Sequence, residues 1–299
     1  ALDNDIIKID EPVTCSATAA SMGGSQIWLE QGEVMTVHEL LKAAVIVSAN
    51  DACAALAEHI AGSIEGFVEN MNARAAELGM NDTLFLDCSG LSDDAYSSAY
   101  DVALMSRELM KHEKITEYTT VWMDTLRGGK SQLVNTNKLV RHYSGATGLK
   151  TGTTAKAGHC LSATAAKNGM GLCAVILGCA TTDERFGGAR KMLDYGFANY
   201  RTYTAEKGGK ALEEVKVRRG DLHSVEAGLT QDLDLTLAKK DKGEGITTEV
   251  KLSEQKLTAP VKKGVQVGTV TAYDKNHKKL AEAKLVTLES AKKGGILSY

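Results

Sequence analysis

The sequence predicts an α/β domain, an antiparallel sheet packed with helices, followed by an all-β domain, and three features point to it. Capped helical patterns dominate from Thr36 to about residue 140, strands around one tight turn follow from Leu149 to Ala180, and short alternating runs follow Tyr203. Two domains are therefore expected, residues 1–203 and residues 204–299. With 43% hydrophobic and 24% charged residues among 299, the chain has material for a sizeable core.

The elements are justified in order. Ile7 and Ile9 alternate with Lys8 and Asp10, so the chain opens inside folded structure and reads as a truncated record. Thr36 and Glu39 form a capping box ahead of an Ala/Leu/Val-rich run, which breaks at Ser48-Ala49-Asn50-Asp51 and resumes from Ala52 to Ala61. A further helix is expected from Ile64 to Leu78, capped by Ser63 and stopped by Gly79. Ser98, with Asp101 at its third position, caps another whose apolar face is Val102, Met105 and Leu109.

Beyond it the text turns to strands around an Asn168-Gly169 hairpin turn. Thr181 and Glu184 then cap a helix to about Tyr200, with Phe186, Ala189, Met192, Leu193 and Phe197 on one face to cover the sheet. In the last segment Ile246, Thr248, Val250 and Leu252 alternate with polar residues, as a small sandwich or barrel-like module requires.

Composition excludes several classes. A net charge of −3, with basic runs no longer than pairs such as Lys239-Lys240 and Lys262-Lys263, gives no footprint for nucleic acid. No run approaches the ~18 apolar residues of a membrane span, and the first residues lack the pattern of a signal peptide. The six cysteines show neither CxxC nor Cys/His metal spacing and read as buried thiols; the hairpin register sets Cys173 opposite Thr164 and Cys160 opposite Leu177. His38-Glu39 has no second histidine at metal spacing and belongs to a cap, and Trp28 either lines a cleft or packs, packing being the reading preferred.

Chemistry concentrates at two triplets. Ser48-Ala49-Asn50 falls in the break of a buried helical hairpin, and Lys150-Thr151-Gly152 follows about a hundred residues later on a strand; each alone is a weak signal, and the pair in these settings is a strong one. Two of the three motifs of the penicillin-recognising serine enzymes are thus present. Around them, residues 46–63, 67–85, 99–110, 135–139, 148–165 and 191–200 resemble the low-molecular-weight D-alanyl-D-alanine carboxypeptidases, peptidase family S11. The tail, with residues 215–221 and 257–270, resembles the β-rich domain that such carboxypeptidases carry after the catalytic one.

That resemblance implies a β-lactamase/transpeptidase-like fold for the first domain and a serine-type reaction that removes the terminal D-alanine from peptidoglycan stem pentapeptides. Acyl transfer through a serine ester needs a hydroxyl, a base and oxyanion donors. By resemblance, Ser48 relays a proton to the leaving amine, and Asn50 holds the active-site lysine and the substrate amide. Lys150 and Thr151 meet the substrate's terminal carboxylate, Gly152 leaves the backbone bare for substrate, and the Thr153 N–H serves the oxyanion.

The third motif, Ser-x-x-Lys, should precede Ser48. It does not: Ser16, Ser21 and Ser25 lead to Ala19, Gly24 and Trp28. Ser253 with Lys256, and Ser290 with Lys293, match only in the β-rich tail, where chance in a lysine-rich segment explains them. The 299-residue chain is therefore expected not to acylate.

No cofactor or metal is implied. The partners implied by resemblance are the stem peptide and, as inhibitors, β-lactams; the expected location is outside the cytoplasm, at the outer face of the cytoplasmic membrane, the periplasm or the cell wall. Peripheral membrane association is left open, since GGILSY shows no amphipathic anchor. The alternatives are a class A-like β-lactamase, which would need a deacylating glutamate loop that is not apparent, and a catalytically inactive cell-wall binding protein.

Overall fold

Thr36 opens the first helical stretch through the reciprocal cap its sequence encodes. In the computed structural model, which describes residues 1–295, Glu39 N donates to Thr36 Oγ1, and Glu39 Oε2 accepts from Thr36 N. The helix Val37–Lys42 then widens into a π-turn over Ala43–Val47, and a second helix runs Asn50–Ala61. Ser63 caps Ile64–Glu77 by accepting from Gly66 N, and Gly79 stops it in the left-handed region.

The chain divides between Phe197 and Ala198 into two compact units. This is earlier than the boundary expected after Tyr203, because Tyr200–Glu206 is a strand paired antiparallel to Leu233–Ala238, which lies wholly in the second unit.

The first unit holds an antiparallel sheet of three strands in the order Ala146–Thr154, Gly158–Lys167, Met170–Cys179. Asn168 and Gly169 both have positive φ, as a two-residue turn between twisted strands requires, and they set Thr164 opposite Cys173. A register shift between His159 and Leu161 puts His159 opposite Cys179. The helix Thr182–Asn199 buries Phe186, Ala189 and Leu193 against the sheet's own cluster, which includes Leu139, Tyr143 and Leu161. The larger core, with Val37, Leu40, Ile46, Ala52 and Leu133, lies among the helices.

The alternation at the start holds, with Ile7 buried and Ile9 half-buried between exposed Lys8 and Asp10, though on turns and not on a strand. Several apolar assignments need correction. Met105, Leu109 and Met192 lie on the exposed side of their helices. The helix Ala99–Leu109 instead buries a polar stripe: Asp101 accepts from Asp82 N and Thr83 Oγ1, and Ser106 lies 2.7 Å from Ser162 on the sheet. Hydroxyl and carboxylate groups that find partners across the interface replace apolar packing there, which a hydrophobic periodicity cannot register. Two short strand pairs, Pro12–Thr14 with Val34–Thr36 and Met123–Leu126 with Ser131–Val134, interrupt the mainly helical region.

The second unit is all β, with a six-stranded sheet and a two-stranded one. Thr247–Leu252 alternates as its sequence predicts, and Val215, Val225, Val267, Val270 and Leu285 fill the core. Among the described residues no helix is long and apolar enough to cross a membrane. Most of the GGILSY segment lies outside the described residues.

Leu40 is 1% exposed in the helical core. Leu40→Ala should lower unfolding stability by about 2–5 kcal/mol in urea titrations, the range for leucine truncation in well-packed interiors.

Candidate functional site

The break in the helical hairpin is built by the backbone. At the end of the π-turn Ser48 sits left-handed, with φ 63° and ψ 38°, and donates its N–H to Ala43 O; Ala49 is extended, and Asn50 starts the next helix. A non-glycine residue in that region is strained and persists only where its surroundings fix it. Here the displaced carbonyl of Ile46 accepts from Thr136 N at 3.1 Å.

Ser48 is thereby presented to the sheet. Lys150 Nζ donates to Ser48 Oγ at 2.7 Å and to Thr151 O at 2.9 Å. Burial lowers the Lys150 pKa to about 8 from an ordinary 10.5. The two triplets therefore meet. Thr151, 8% exposed, places Oγ1 at 2.7 Å from Thr136 Oγ1. Gly152 pairs with Cys160 across the ladder, and the Thr153 hydroxyl donates to Gly152 O.

Asn50 turns the other way. Its Nδ2 donates to Gly23 O at 2.8 Å, and its backbone N–H donates to Ser25 O at 2.7 Å. Gly24, with φ +78°, is required there, since a Cβ would stand 2.6 Å from Asn50 Nδ2. The loop is held further along by Asp51, which is fully buried and accepts from Ile27 N, Leu29 N and Ala52 N. Arg127 fixes the same stretch from outside, donating to Ile27 O while its Nε and Nη2 grip both oxygens of Glu33. Trp28 rides on this loop 76% exposed with φ +61°, so it does not pack as expected.

Two contributors were not singled out from the sequence. Arg185, 7% exposed, donates from Nη1 to Gly152 O, Thr153 Oγ1 and Cys160 O, all neutral, and its Nε is buried without a partner. It sits four residues into a capping pattern, on the face counted as apolar, and the signal that could have found it is a lone arginine in that stripe. Asp51 was absorbed into local capping; an acid directly after Asn50, ahead of an alanine-rich buried helix, was its signal. Cys53, one turn further on, has its thiol raised to about 11 by burial, so it is inert as a thiolate at neutral pH.

The two tail matches have other settings. Ser253 follows the strand Thr247–Leu252 and donates its N–H to Val267 O, while Ser290 Oγ accepts from Lys263 N; neither stands on a helix.

Residues 1–181 match the profile of the D-alanyl-D-alanine carboxypeptidases, Peptidase S11. The chain belongs to this family. Residues 200–293 match the C-terminal domain of penicillin-binding protein 5, so the fold is a transpeptidase α/β domain followed by an all-β domain. The class A β-lactamase alternative gives way to this membership. The chain is 41% identical to the D-alanyl-D-alanine carboxypeptidase DacF of Bacillus subtilis, over 100% of its own length and 77% of the relative's. Its structure is similar to that of penicillin-binding protein 5 from Haemophilus influenzae, with TM-score 0.74 and 31% identity over 98% of this chain and 86% of that one. It is also similar to penicillin-binding protein D2 from Listeria monocytogenes in a cefotaxime-bound form, with TM-score 0.60 and 32% identity over 66% of this chain and 81% of that one.

Asp51→Ala should leave the Ile27 and Leu29 amides buried and unpaired, destabilising the chain by about 1–3 kcal/mol. Hydrogen exchange followed by NMR should show those two amides losing protection first; unchanged protection would mean that Asp51 does not hold the loop.

Proposed function

We propose that these residues form the substrate-holding side of a serine D-Ala-D-Ala carboxypeptidase that acts on the D-Ala-D-Ala end of peptidoglycan stem peptides through an acyl-enzyme. The observation that carries this is the 2.7 Å hydrogen bond from Lys150 to Ser48, which brings a half-buried ammonium and a hydroxyl together where the helical hairpin meets the strand. Ser48 passes a proton to the leaving amine, and Lys150 keeps that hydroxyl polarised while supplying positive charge for the terminal carboxylate of the substrate. Thr151 donates to the same carboxylate. Arg185 adds a second positive charge behind Gly152 and Thr153, where its other acceptors are neutral. Gly152 leaves room for substrate to lie along the strand and the Thr153 N–H stabilises the oxyanion, whereas Asn50, whose Nδ2 is engaged by Gly23 O, orders the neighbouring loop and does not meet the substrate amide.

The class of ligand follows from these groups: a peptide with a free C-terminal carboxylate, and β-lactams as inhibitors that offer the same anion next to a strained amide. Such a substrate lies outside the cytoplasm, and we assign the protein there, at the outer face of the cytoplasmic membrane or in the wall.

The acylation half of the reaction needs a serine with a lysine one helical turn on, and none lies between Ala1 and Val47. The 299-residue polypeptide should therefore fail to label covalently with a fluorescent penicillin on a denaturing gel. A labelled band would overturn this, and a labelled peptide from the Ser253 or Ser290 region would name the nucleophile.

Lys150 sets a pH dependence. Its proton is held below about pH 8, so affinity for an N-acylated D-Ala-D-Ala peptide, measured by calorimetry, should be greatest below pH 8 and fall as pH rises through it. Lys150→Gln should remove that dependence. The sign for folding is opposite: the unfolded chain keeps this proton up to 10.5, so unfolding free energy should rise between pH 8 and 10.5 from this group.

A further inference from the structure

Thr136 links the π-turn that leads into Ser48 with the strand that carries Thr151. Its backbone N–H takes the Ile46 carbonyl released by the π-turn ahead of Ser48, and its Oγ1 faces Thr151 Oγ1 at 2.7 Å. Its neighbours leave it little freedom. Asn135, 3% exposed, donates from N to Trp122 O and from Nδ2 to Val121 O, and its Oδ1 accepts from Asn137 N. Asn137, fully buried, accepts from Leu139 N. The Thr136 hydroxyl is thus delivered to Thr151 by a backbone fixed on both sides.

A hydroxyl has one proton to give. With Thr151 facing Thr136, either oxygen can be the donor, and the two arrangements differ in what Thr151 offers the cleft. If Thr151 donates to Thr136, it presents lone pairs, which repel a carboxylate. If Thr136 donates, Thr151 accepts with one lone pair and its own proton is free to point at an anion, which makes the stronger charge-assisted hydrogen bond.

We propose that Thr136 is a positioning residue for the substrate's terminal carboxylate: it donates to Thr151 and so turns the Thr151 proton toward the cleft. This deepens the reading of Lys150 and Thr151 as the carboxylate holders and rests on it. The preference for a free acid over an amide is then set in part by a side chain that does not touch the substrate. An amide terminus brings N–H groups that need acceptors, and a Thr151 committed as donor offers it none in the direction of the cleft.

The test compares N-acetyl-D-alanyl-D-alanine with its C-terminal amide, titrated into the 299-residue chain by NMR or calorimetry, for wild type, Thr136→Val and Thr136→Ser. Wild type should favour the acid. Valine keeps the backbone N–H and removes the donor, so the acid-to-amide ratio of affinities should fall about five- to tenfold while the amide's own affinity holds. Serine restores the donor and should restore the ratio; a general loosening of the loop would weaken both ligands together. A valine variant with the wild-type ratio, or a serine variant that behaves like valine, overturns the proposal and leaves the carboxylate reading standing. A wild-type chain without preference for the acid removes that reading and the proposal with it. Thr136→Ala deletes the same hydroxyl without added branching and supplies the readout where the valine chain does not fold.

Discussion

The hydrogen bond between Lys150 and Ser48 joins two pieces of chain that fold by different rules. Ser48 belongs to a helical hairpin held by apolar burial around Leu40 and Ile46, and Lys150 belongs to a strand held by its ladder with Gly158–Lys167, where it stands opposite Ser162. Neither piece places its polar group for its own benefit. The serine occupies a left-handed conformation that costs about 1–2 kcal/mol for an L-residue, and the ammonium is buried far enough for its proton to be held more weakly than in water. Each supplies what the other lacks, an oriented acceptor for the cation and a donor for the displaced hydroxyl.

The π-turn is the device that reconciles helix and site. Widening the last turn before Ser48 shifts that residue out of helical geometry and frees the Ile46 carbonyl, which would be an unsatisfied buried acceptor had Thr136 not taken it. A similar economy appears in the Gly23–Leu29 loop. Asn50 and Asp51, adjacent in sequence, project from the start of one helix and bond a carbonyl and two amides of that loop. The Asp51 carboxylate loses its hydration and regains backbone donors in its place, which is the condition under which a buried charge is tolerated.

Much of this was legible in the residues. Thr36, Ser63, Ser98 and Thr181 cap the helices they announce, since a cap is decided by a side chain and its own next turn. The hairpin was equally plain, because positive φ at two positions admits few residues. What escaped depends on partners far along the chain. Met105, Met192 and Trp28 look like core residues by type and are exposed, while Asp101, Ser106 and Arg185 look like surface residues and are buried against acceptors or donors that only the fold brings near. The same limit holds at the site: Ser48, Asn50 and Lys150 were readable as motifs, but Thr136 has no signature of its own and acquires its place from Ile46 and Thr151.

Trp28 gives the loop an unplanned property. The chain has two tryptophans; the other, Trp122, is half-buried under the Arg141 guanidinium with His142 at its edge, whereas Trp28 stands in water on a backbone clamped by Asp51 and Arg127. Its indole is therefore carried by the very backbone that Asn50 and Asp51 hold, and any rearrangement of that segment changes the solvent around a ring that is otherwise in water.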